Sequence, residues 1–230
     1  MISVGLFLFQ AMTALDIVGP YETLTGLANI NTMLVSDTAD PVQAEGGMRI
    51  VPDCSFASAP PLDVLIIPGG LGINRIMEDA DWMDFLTART AQAQWVTSVC
   101  TGALVLGAAG LLRGYRATTH WLALDLLPHF GATACRERVV VDRNRMTGGG
   151  VTAGIDLGLA LAAILAGETA ARERQLMLQY DPQPPFRDKN PDLADPKIAQ
   201  AVRAARWAIQ QDRLAIVERI KSRAAARQET

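Results

Sequence analysis

Three short, almost uninterrupted apolar runs constrain the fold of this chain more than any other feature. They are residues 2–9, 63–68 and 95–100, and segments with helical spacing separate them. A run without alternating polar residues is typical of a strand that is buried on both faces of a sheet. Because strands and helices alternate, the sequence predicts an α/β fold with a mainly parallel central sheet and right-handed crossovers.

The second half of the chain predicts a small hairpin and a helical extension. Residues 138–141 and 145–147 flank a polar turn, and a strongly apolar helix follows from residue 151. Prolines concentrate between residues 181 and 196, so this segment is expected to be irregular. A single long helix is predicted from residue 196 to about residue 226. We therefore expect an α/β domain over residues 1–186 and a C-terminal helical extension over residues 187–230, packed on the domain or on a dimer partner.

Composition excludes several classes of protein. Half of the 230 residues are apolar, which excludes intrinsic disorder. The net charge of −3 gives the whole chain no electrostatic footprint for nucleic acid or an anionic membrane. The 3 cysteines lack the spacing of a metal or disulfide pair, and only 2 histidines are present. A metal site is therefore not expected, and a reducing cytoplasm suits the chain best.

Neither a targeting segment nor a membrane span is expected. Residues 2–9 lack the cationic start of a signal peptide. The most apolar stretch, residues 151–166, carries Asp156 and is short for a membrane span, so a buried helix is predicted there. Residues 197–227 are rich in basic side chains, which we interpret as the solvated face of an amphipathic helix rather than as a contact with DNA.

The sharpest local feature is Cys100, which follows a strand and precedes a helix of very small side chains. A tight strand-to-helix turn of this kind is typical of a nucleophile elbow, which raises one side chain above the carboxyl edge of the sheet. Amides at the start of the following helix are expected to favour the thiolate and to lower the pKa of the thiol. The same pattern also fits a buried structural cysteine at an ordinary strand end.

Two further segments are predicted to end at the same edge. Gly69 and Gly70 follow the strand of residues 63–68, and an amide there, together with that of Thr101, could form an oxyanion-type hole. A plain turn between a strand and a helix would show the same pattern. Asp16 lies between apolar residues just beyond the first strand, so its carboxyl either caps a helix or is partnered inside the protein.

Five segments together resemble the DJ-1/PfpI superfamily, and within it the isocyanide hydratases. They are residues 15–20 (LDIVGP), 63–70 (DVLIIPGG), 98–102 (SVCTG), 117–121 (ATTHW) and 147–156 (TGGGVTAGID). The resemblance runs from about residue 2 to residues 180–186 and into the last helix. It implies a flavodoxin-like sandwich and a homodimer. The same motifs occur in the ligand-sensing domains of AraC-type regulators.

The resemblance also implies roles for individual residues. Cys100 matches the nucleophile of the superfamily, and Asp16 matches the acidic residue that hydrogen-bonds to it. The amides of Gly70 and Thr101 match positions that face the substrate, and His120 matches a histidine found near the cysteine in several branches. The protease-like branch has a histidine directly after its cysteine, and the DJ-1-like branch has the longer glutamate. Thr101 and Asp16 therefore favour the hydratase branch.

The chemistry of an isocyanide hydratase fits these residues. Attack by Cys100, with a proton from Asp16, would give a thioimidate, and water would then release an N-substituted formamide. Asp16 can give a proton near neutral pH only if an apolar pocket raises its pKa. The reaction needs no metal or organic cofactor. The alternatives are a DJ-1-like redox sensor, in which Cys100 is oxidised, and a free-standing ligand-binding domain related to AraC-type regulators.

Overall fold

A seven-stranded sheet organises the computed structural model of this chain, which describes residues 1–186, 188 and 190–226. The strands are β1 (Ile2–Phe7), β2 (Ile30–Ser36), β3 (Val42–Gln43), β4 (Arg49–Ile50), β5 (Cys54–Ser55), β6 (Val64–Ile67), β7 (Trp95–Ser98), β8 (Arg116–Ala117), β9 (Thr133–Ala134), β10 (Val139–Asp142) and β11 (Arg145–Gly148). The order in the main sheet is β10-β11-β7-β6-β1-β2-β5. Strands β3 and β4 form a separate pair, and so do β8 and β9.

The helices cover both faces of this sheet. They are α1 (Ala14–Leu24), α2 (Ile73–Ile76), α3 (Ala80–Thr90), α4 (Gly102–Ala108), α5 (Ala153–Ala166), α6 (Glu168–Met177), α7 (Pro196–Ala205) and α8 (Trp207–Ala226), with 3-10 helices at Glu45–Gly47 and Trp121–Phe130. All four residues of β6 are buried. Since neighbouring side chains of a strand point to opposite faces, both faces of the sheet are covered there.

The predicted α/β class is confirmed. Within the main sheet, β11, β7, β6, β1, β2 and β5 are parallel, with Val64 opposite both Val4 and Trp95. The predicted hairpin is also present, because β10 pairs with β11 in the antiparallel sense. Parallel strands bring the carboxyl ends of β1, β6, β7 and β11 to one edge. The segments that carry Asp16, Gly69 and Cys100 all leave the sheet at that edge.

The C-terminal part of the prediction needs a correction. In place of one long helix the structure has two, α7 and α8, which are separated at Arg206. The break has a packing reason. Helix α8 contacts α2 and the 3-10 helix Trp121–Phe130 and buries Ile216 and Val217, whereas α7 buries none of its residues. The break lets α8 follow the body of the protein while α7 stays largely exposed, with its Arg203 lying over the Trp121 ring at 4.7 Å.

Two other expectations are met in the described residues. The described residues between α6 and α7 form only turns and bends, as the prolines predicted. The apolar stretch from residue 151 forms the largely buried helix α5. Across residues 1–186, 188 and 190–226, no helix has the length and hydrophobicity to cross a membrane.

Helices α1 and α5 pack closely because Gly158 leaves room for Thr23. A Cβ atom at Gly158 would overlap Thr23 Oγ1 and lie 3.0 Å from Pro20 Cα. The Thr23 hydroxyl is buried and donates to the Pro20 carbonyl at 2.9 Å. The contact places α1, and with it Asp16, firmly against the rest of the protein.

We expect Gly158→Ala to lower the free energy of unfolding by about 1–2 kcal/mol. The destabilisation from overpacking is larger than the stabilisation from the higher helix propensity of alanine. Thr23→Ala removes the hydroxyl that the new methyl group meets, so the double variant should recover most of this loss. Chemical denaturation of the two single variants and the double variant measures the coupling. Strictly additive effects would contradict this account of the contact.

Candidate active site

Cys100 lies in a sharp turn between β7 and α4, as the sequence predicted. Its φ of 55° lies in the left-handed region, which residues other than glycine rarely adopt. The Cys100 N–H donates to the carbonyl of Gly149 at 2.8 Å, and its own carbonyl accepts from the Thr119 hydroxyl at 2.8 Å. Contacts from two other segments thus hold the strained backbone in place.

Glycines let this turn lie directly against the end of β6. A Cβ atom at Gly69 would come within 2.5 Å of the Thr101 nitrogen and 3.0 Å of the Cys100 Cβ. At Gly102, a Cβ would overlap the Ile67 carbonyl oxygen. The two strand ends are therefore in backbone contact, and larger residues at these positions would separate them.

Asp16 is fully buried in the first turn of α1 and does not cap the helix. The residue at the N-cap is Thr13, whereas Asp16 Oδ2 accepts a hydrogen bond from the Gly69 N–H at 2.8 Å. Of the two alternatives left open by the sequence, the partnered carboxyl is the correct one. This hydrogen bond ties α1 to the end of β6, 53 residues further along the chain.

Burial raises the pKa of Asp16 from its ordinary 3.8 to about 7, against the lowering effects of the Gly69 hydrogen bond and the nearby Cys100 side chain. The expectation of a raised pKa is therefore confirmed. The second oxygen, Oδ1, is buried and has no hydrogen-bond partner within the described part of the chain. Because Oδ2 is occupied by Gly69, the protonated form of Asp16 carries its proton on Oδ1.

The electrostatics of Cys100 differ from the prediction. Burial and the charge of Asp16 raise the pKa of the thiol, while the amide and hydroxyl of Thr101 and the charge of Arg213 lower it. The predicted effect of the helix start is thus present at Thr101, but burial exceeds it, and the prediction of a lowered pKa is wrong. Cys100 is only 5% exposed, and α4 has only 7 residues. The resting form is the thiol, held beside a carboxyl that titrates near neutral pH.

Gly70 and Thr101 contact each other, and Thr101 lies beside the Cys100 sulfur. The Gly70 N–H donates to Thr101 Oγ1 at 3.1 Å, and Gly70 has a φ of 124°. The amide of Gly70 is thus satisfied within the protein in this state, while that of Thr101 faces Cys100. That either amide contacts a substrate stays a prediction.

His120 stands at the start of the 3-10 helix Trp121–Phe130, where its Nδ1 accepts from the Leu122 N–H at 3.3 Å. Burial and the charges of Arg213 and Arg206 lower the pKa of His120 to about 4. The ring is therefore neutral at pH 7, with its proton on Nε2. A cavity of about 540 Å³ opens beside His120, and it is also lined by Gly149, whose carbonyl accepts from the Cys100 N–H. A role for His120 in substrate binding remains a prediction.

Sequence analysis missed Arg213, which α8 brings into the site. It is 4% exposed, and it lies in the apolar stripe of α8 with Ile216 and Val217. We had assigned the basic residues of this region to a solvated face, which is wrong for Arg213. A cation within an apolar stripe is the signal that could have revealed it, since buried charges require partners.

The described residues offer no ready metal site. In the ranges 1–186, 188 and 190–226, no group of three or more His, Cys, Asp or Glu side chains comes together in a way that could hold a metal ion. Separately from this, the arrangement pairs a buried thiol with a carboxyl that can exchange a proton near neutral pH.

Comparison with known sequences identifies similar proteins. The model of the DJ-1/PfpI family matches residues 2–164. An isonitrile hydratase from Pseudomonas putida is 46% identical over 202 residues, which are 88% of this chain and 89% of that protein. The HTH-type transcriptional regulator GbdR from Pseudomonas aeruginosa is 33% identical over 167 residues, which are 69% of this chain but 45% of the regulator.

Solved structures agree with this picture. The crystal structure of a ThiJ/PfpI family protein from Pseudomonas syringae matches with a TM-score of 0.91 and 40% identity, covering 94% of this chain and 90% of that one. Oxidized DJ-1 from Toxoplasma gondii matches with a TM-score of 0.72 and 22% identity, covering 79% of this chain and 100% of that one. The latter similarity is one of fold.

The raised pKa of Asp16 makes a prediction about stability. The folded protein holds this proton up to about pH 7, and the unfolded chain loses it near 3.8. Stability from this group is therefore full at low pH and is lost as the pH rises from about 4 to 7. Asparagine keeps an oxygen for the Gly69 N–H and never ionises. At pH 8 we expect Asp16→Asn to be more stable than the wild type, by on the order of a few kcal/mol, with a clearly smaller difference at pH 5, where only part of the loss has occurred.

Chemical denaturation of both proteins at the two pH values measures this difference. Asp84→Asn, which changes an exposed aspartate on α3, is the matched control and should follow the wild type at both. If the difference in free energy of unfolding between Asp16→Asn and the wild type did not change with pH, the folded protein would not retain the Asp16 proton.

Proposed function

The chain belongs to the DJ-1/PfpI family, and on that premise we propose that it is an isonitrile hydratase, which adds water to an isocyanide (isonitrile) and releases an N-substituted formamide. The observation that carries this is the 46% identity to the Pseudomonas putida isonitrile hydratase over 88% of the chain. The pairing of a buried thiol with an aspartate whose pKa lies near 7 supports it.

The first chemical step joins Cys100 to the substrate. The sulfur of Cys100 forms a bond to the terminal carbon of the isocyanide while Asp16 delivers the proton on Oδ1 to the same carbon. Asp16 then regains a proton from the thiol. The sulfur of Cys100 and one hydrogen atom have thus both been added to the isocyanide carbon. The product is a thioimidate, in which carbon is bound to sulfur and doubly bonded to nitrogen.

The pKa values of the pair suit this exchange. Ionised Asp16 raises the pKa of Cys100, so a proton that passes from the thiol to the carboxyl removes the charge that opposed ionisation. Because the pKa of Asp16 is about 7, the carboxyl can both accept and give a proton near neutral pH. An aspartate with its ordinary pKa would be almost entirely ionised near neutral pH, so it would have no proton to give to the substrate.

The second step is hydrolysis. Water adds to the thioimidate carbon, and Asp16 moves a proton from the water to the nitrogen. The carbon–sulfur bond of the resulting tetrahedral adduct then breaks, the hydroxyl proton returns to the sulfur, and the formamide leaves. Cys100 and Asp16 are restored. We propose that the amide of Thr101, which faces Cys100, stabilises negative charge that develops beside the sulfur, and that the Gly70 amide contributes only after it leaves Thr101 Oγ1.

The other two functions receive less support. The regulator GbdR extends well beyond this chain, which spans 45% of its length. The net charge of −3 does not favour binding to nucleic acid. A redox sensor reacts through its thiolate, whereas burial and the charge of Asp16 raise the pKa of the Cys100 thiol. We propose that nucleic acid is not a partner.

Location and assembly are part of the same proposal. The three cysteines are unpaired, and the mechanism requires Cys100 to stay reduced, so we place the enzyme in the cytoplasm. We also propose residues 1–186 as the α/β domain and residues 187–230 as its helical extension. A homodimer would cover apolar side chains that a protomer leaves exposed, including Leu176, Met177, Ile198 and Val202.

A single assay tests the proposed reaction. Cys100→Ala should abolish release of the formamide from a simple alkyl isocyanide, and Asp16→Asn should slow it by roughly 10²-fold or more, the usual effect of losing a general acid. Cys54→Ala and Cys135→Ala are the matched controls and should keep wild-type turnover, because neither residue lies in the elbow. Substantial turnover by Cys100→Ala would contradict the covalent mechanism, and no formamide from the wild type would contradict the function.

Light scattering tests the dimer. We expect twice the protomer mass at micromolar concentration for the wild type and the protomer mass for the double variant Ile198→Glu, Val202→Glu. Met48→Glu places the same charge on an exposed apolar residue near β4 and should remain dimeric. A wild-type protein that is monomeric under these conditions would contradict the proposal.

A further inference from the structure

We infer that Arg213 is a positioning residue of the active site: it holds the Gly70 peptide in place and supplies the buried positive charge beside which Cys100 ionises. The inference deepens the proposed hydratase function and rests on it for its catalytic meaning. It concerns a residue of α8 that lies outside residues 2–164, the part of the chain that the family model matches. Arg213 is therefore an addition to the domain shared by the family.

The guanidinium of Arg213 is fixed by two directed contacts. Its Nε donates to Asn74 Oδ1 at 3.0 Å, and its Nη2 donates to the Gly70 carbonyl at 3.3 Å. Asn74 is itself oriented, because its Nδ2 donates to Asp212 at 2.7 Å. A planar guanidinium held at two points cannot turn away, so its charge has a fixed place in the site.

The contact with Gly70 reaches the nucleophile through the backbone. Gly70 gives its N–H to Thr101 Oγ1, and the preceding Gly69 leaves no room for a side chain against Cys100. The next N–H, that of Leu71, donates to Glu45 at 2.6 Å. Arg213 and Glu45 therefore hold the peptide between Gly70 and Leu71 from both sides, and this peptide fixes the β6 end of the elbow.

The charge of Arg213 has no ion-pair partner. In the described part of the chain, no carboxylate lies within 4 Å of its guanidinium, although Arg219 on the same helix pairs with Glu78 at 2.7 Å. A buried cation without a counter-charge destabilises the fold unless another group benefits from it. A group that gains is the Cys100 thiolate, whose negative charge in turn favours the charged form of Arg213.

Several charged groups surround Arg213, and Cys100 and His120 respond to it. The pKa of Cys100 is lowered by Arg213, and the pKa of His120 is lowered as well, which keeps this ring neutral. Glu45 and Asp212 favour the charged form of Arg213, and Arg206 opposes it. Asp16 acts on Cys100 in the opposite direction to Arg213. The thiol thus lies near both an acid and a guanidinium, contributed by α1 and α8, which are far apart in the sequence.

The test measures ionisation of Cys100 directly. The rate of its alkylation by iodoacetamide is followed as a function of pH, and mass spectrometry of the Cys100 peptide separates it from Cys54 and Cys135. Arg213→Met should react roughly ten-fold more slowly at pH 7, since a nearby charge moves a pKa by about one unit or more. We expect Arg213→Met to fold, because a buried charge can often be replaced by an apolar side chain of similar length.

Three further variants make the test specific. Arg213→Lys restores the charge and should recover most of the rate, and Arg213→Gln, a second neutral variant, should behave as methionine does. Arg219→Gln is the control, because it removes an exposed charge from the same helix. It should leave the pH dependence of Cys100 alkylation unchanged. Profiles of folded Arg213→Met and Arg213→Gln that coincide with that of the wild type would overturn the inference. Alkylation needs no isocyanide. Failure of this inference can therefore be distinguished from failure of the proposed function, which would be shown by a wild-type protein that releases no formamide.

Discussion

The hydrogen bond from the Gly69 amide to the buried carboxyl of Asp16 is the contact on which the site depends. It brings the first turn of α1 to the end of β6, and it can form only because glycine at this position lets β6 lie against the Cys100 turn. It also leaves the other carboxyl oxygen without a partner, in surroundings that disfavour its charge. This contact therefore positions Asp16 and selects the oxygen that carries its proton. Burial, acting against the lowering effect of the same hydrogen bond, keeps that proton available near pH 7.

Sequence patterns predicted the parts of the molecule that depend on local order. Apolar runs predicted the buried strands. The elbow was predicted from a strand that is followed directly by a helix of small residues. For Asp16 the sequence left open a helix cap and a partnered buried carboxyl, and the folded structure was needed to decide between them. A raised pKa was expected as a requirement of the chemistry, and burial in the folded chain supplies it.

The remaining features depend on contacts between distant segments. The pKa of Cys100 is set by how deeply the folded chain buries the thiol, which the helix start alone cannot reveal. Arg206 carries no proline or glycine signal, so the break between α7 and α8 follows from packing against the body. Arg213 looks like any other basic residue until α8 is placed on the protein. Residues that approach from outside the shared α/β domain are therefore the ones that sequence reasoning overlooks most easily.

The bond between Arg213 and Gly70 joins positions 143 residues apart, and this has a consequence for synthesis of the protein. A ribosome has already made the strands, the elbow and Asp16 before it makes α8. A nascent chain can thus fold its sheet around Cys100 while it still lacks the guanidinium. The thiol acquires its full electrostatic surroundings only when α8 docks, so its chemical activity requires synthesis to have passed this helix.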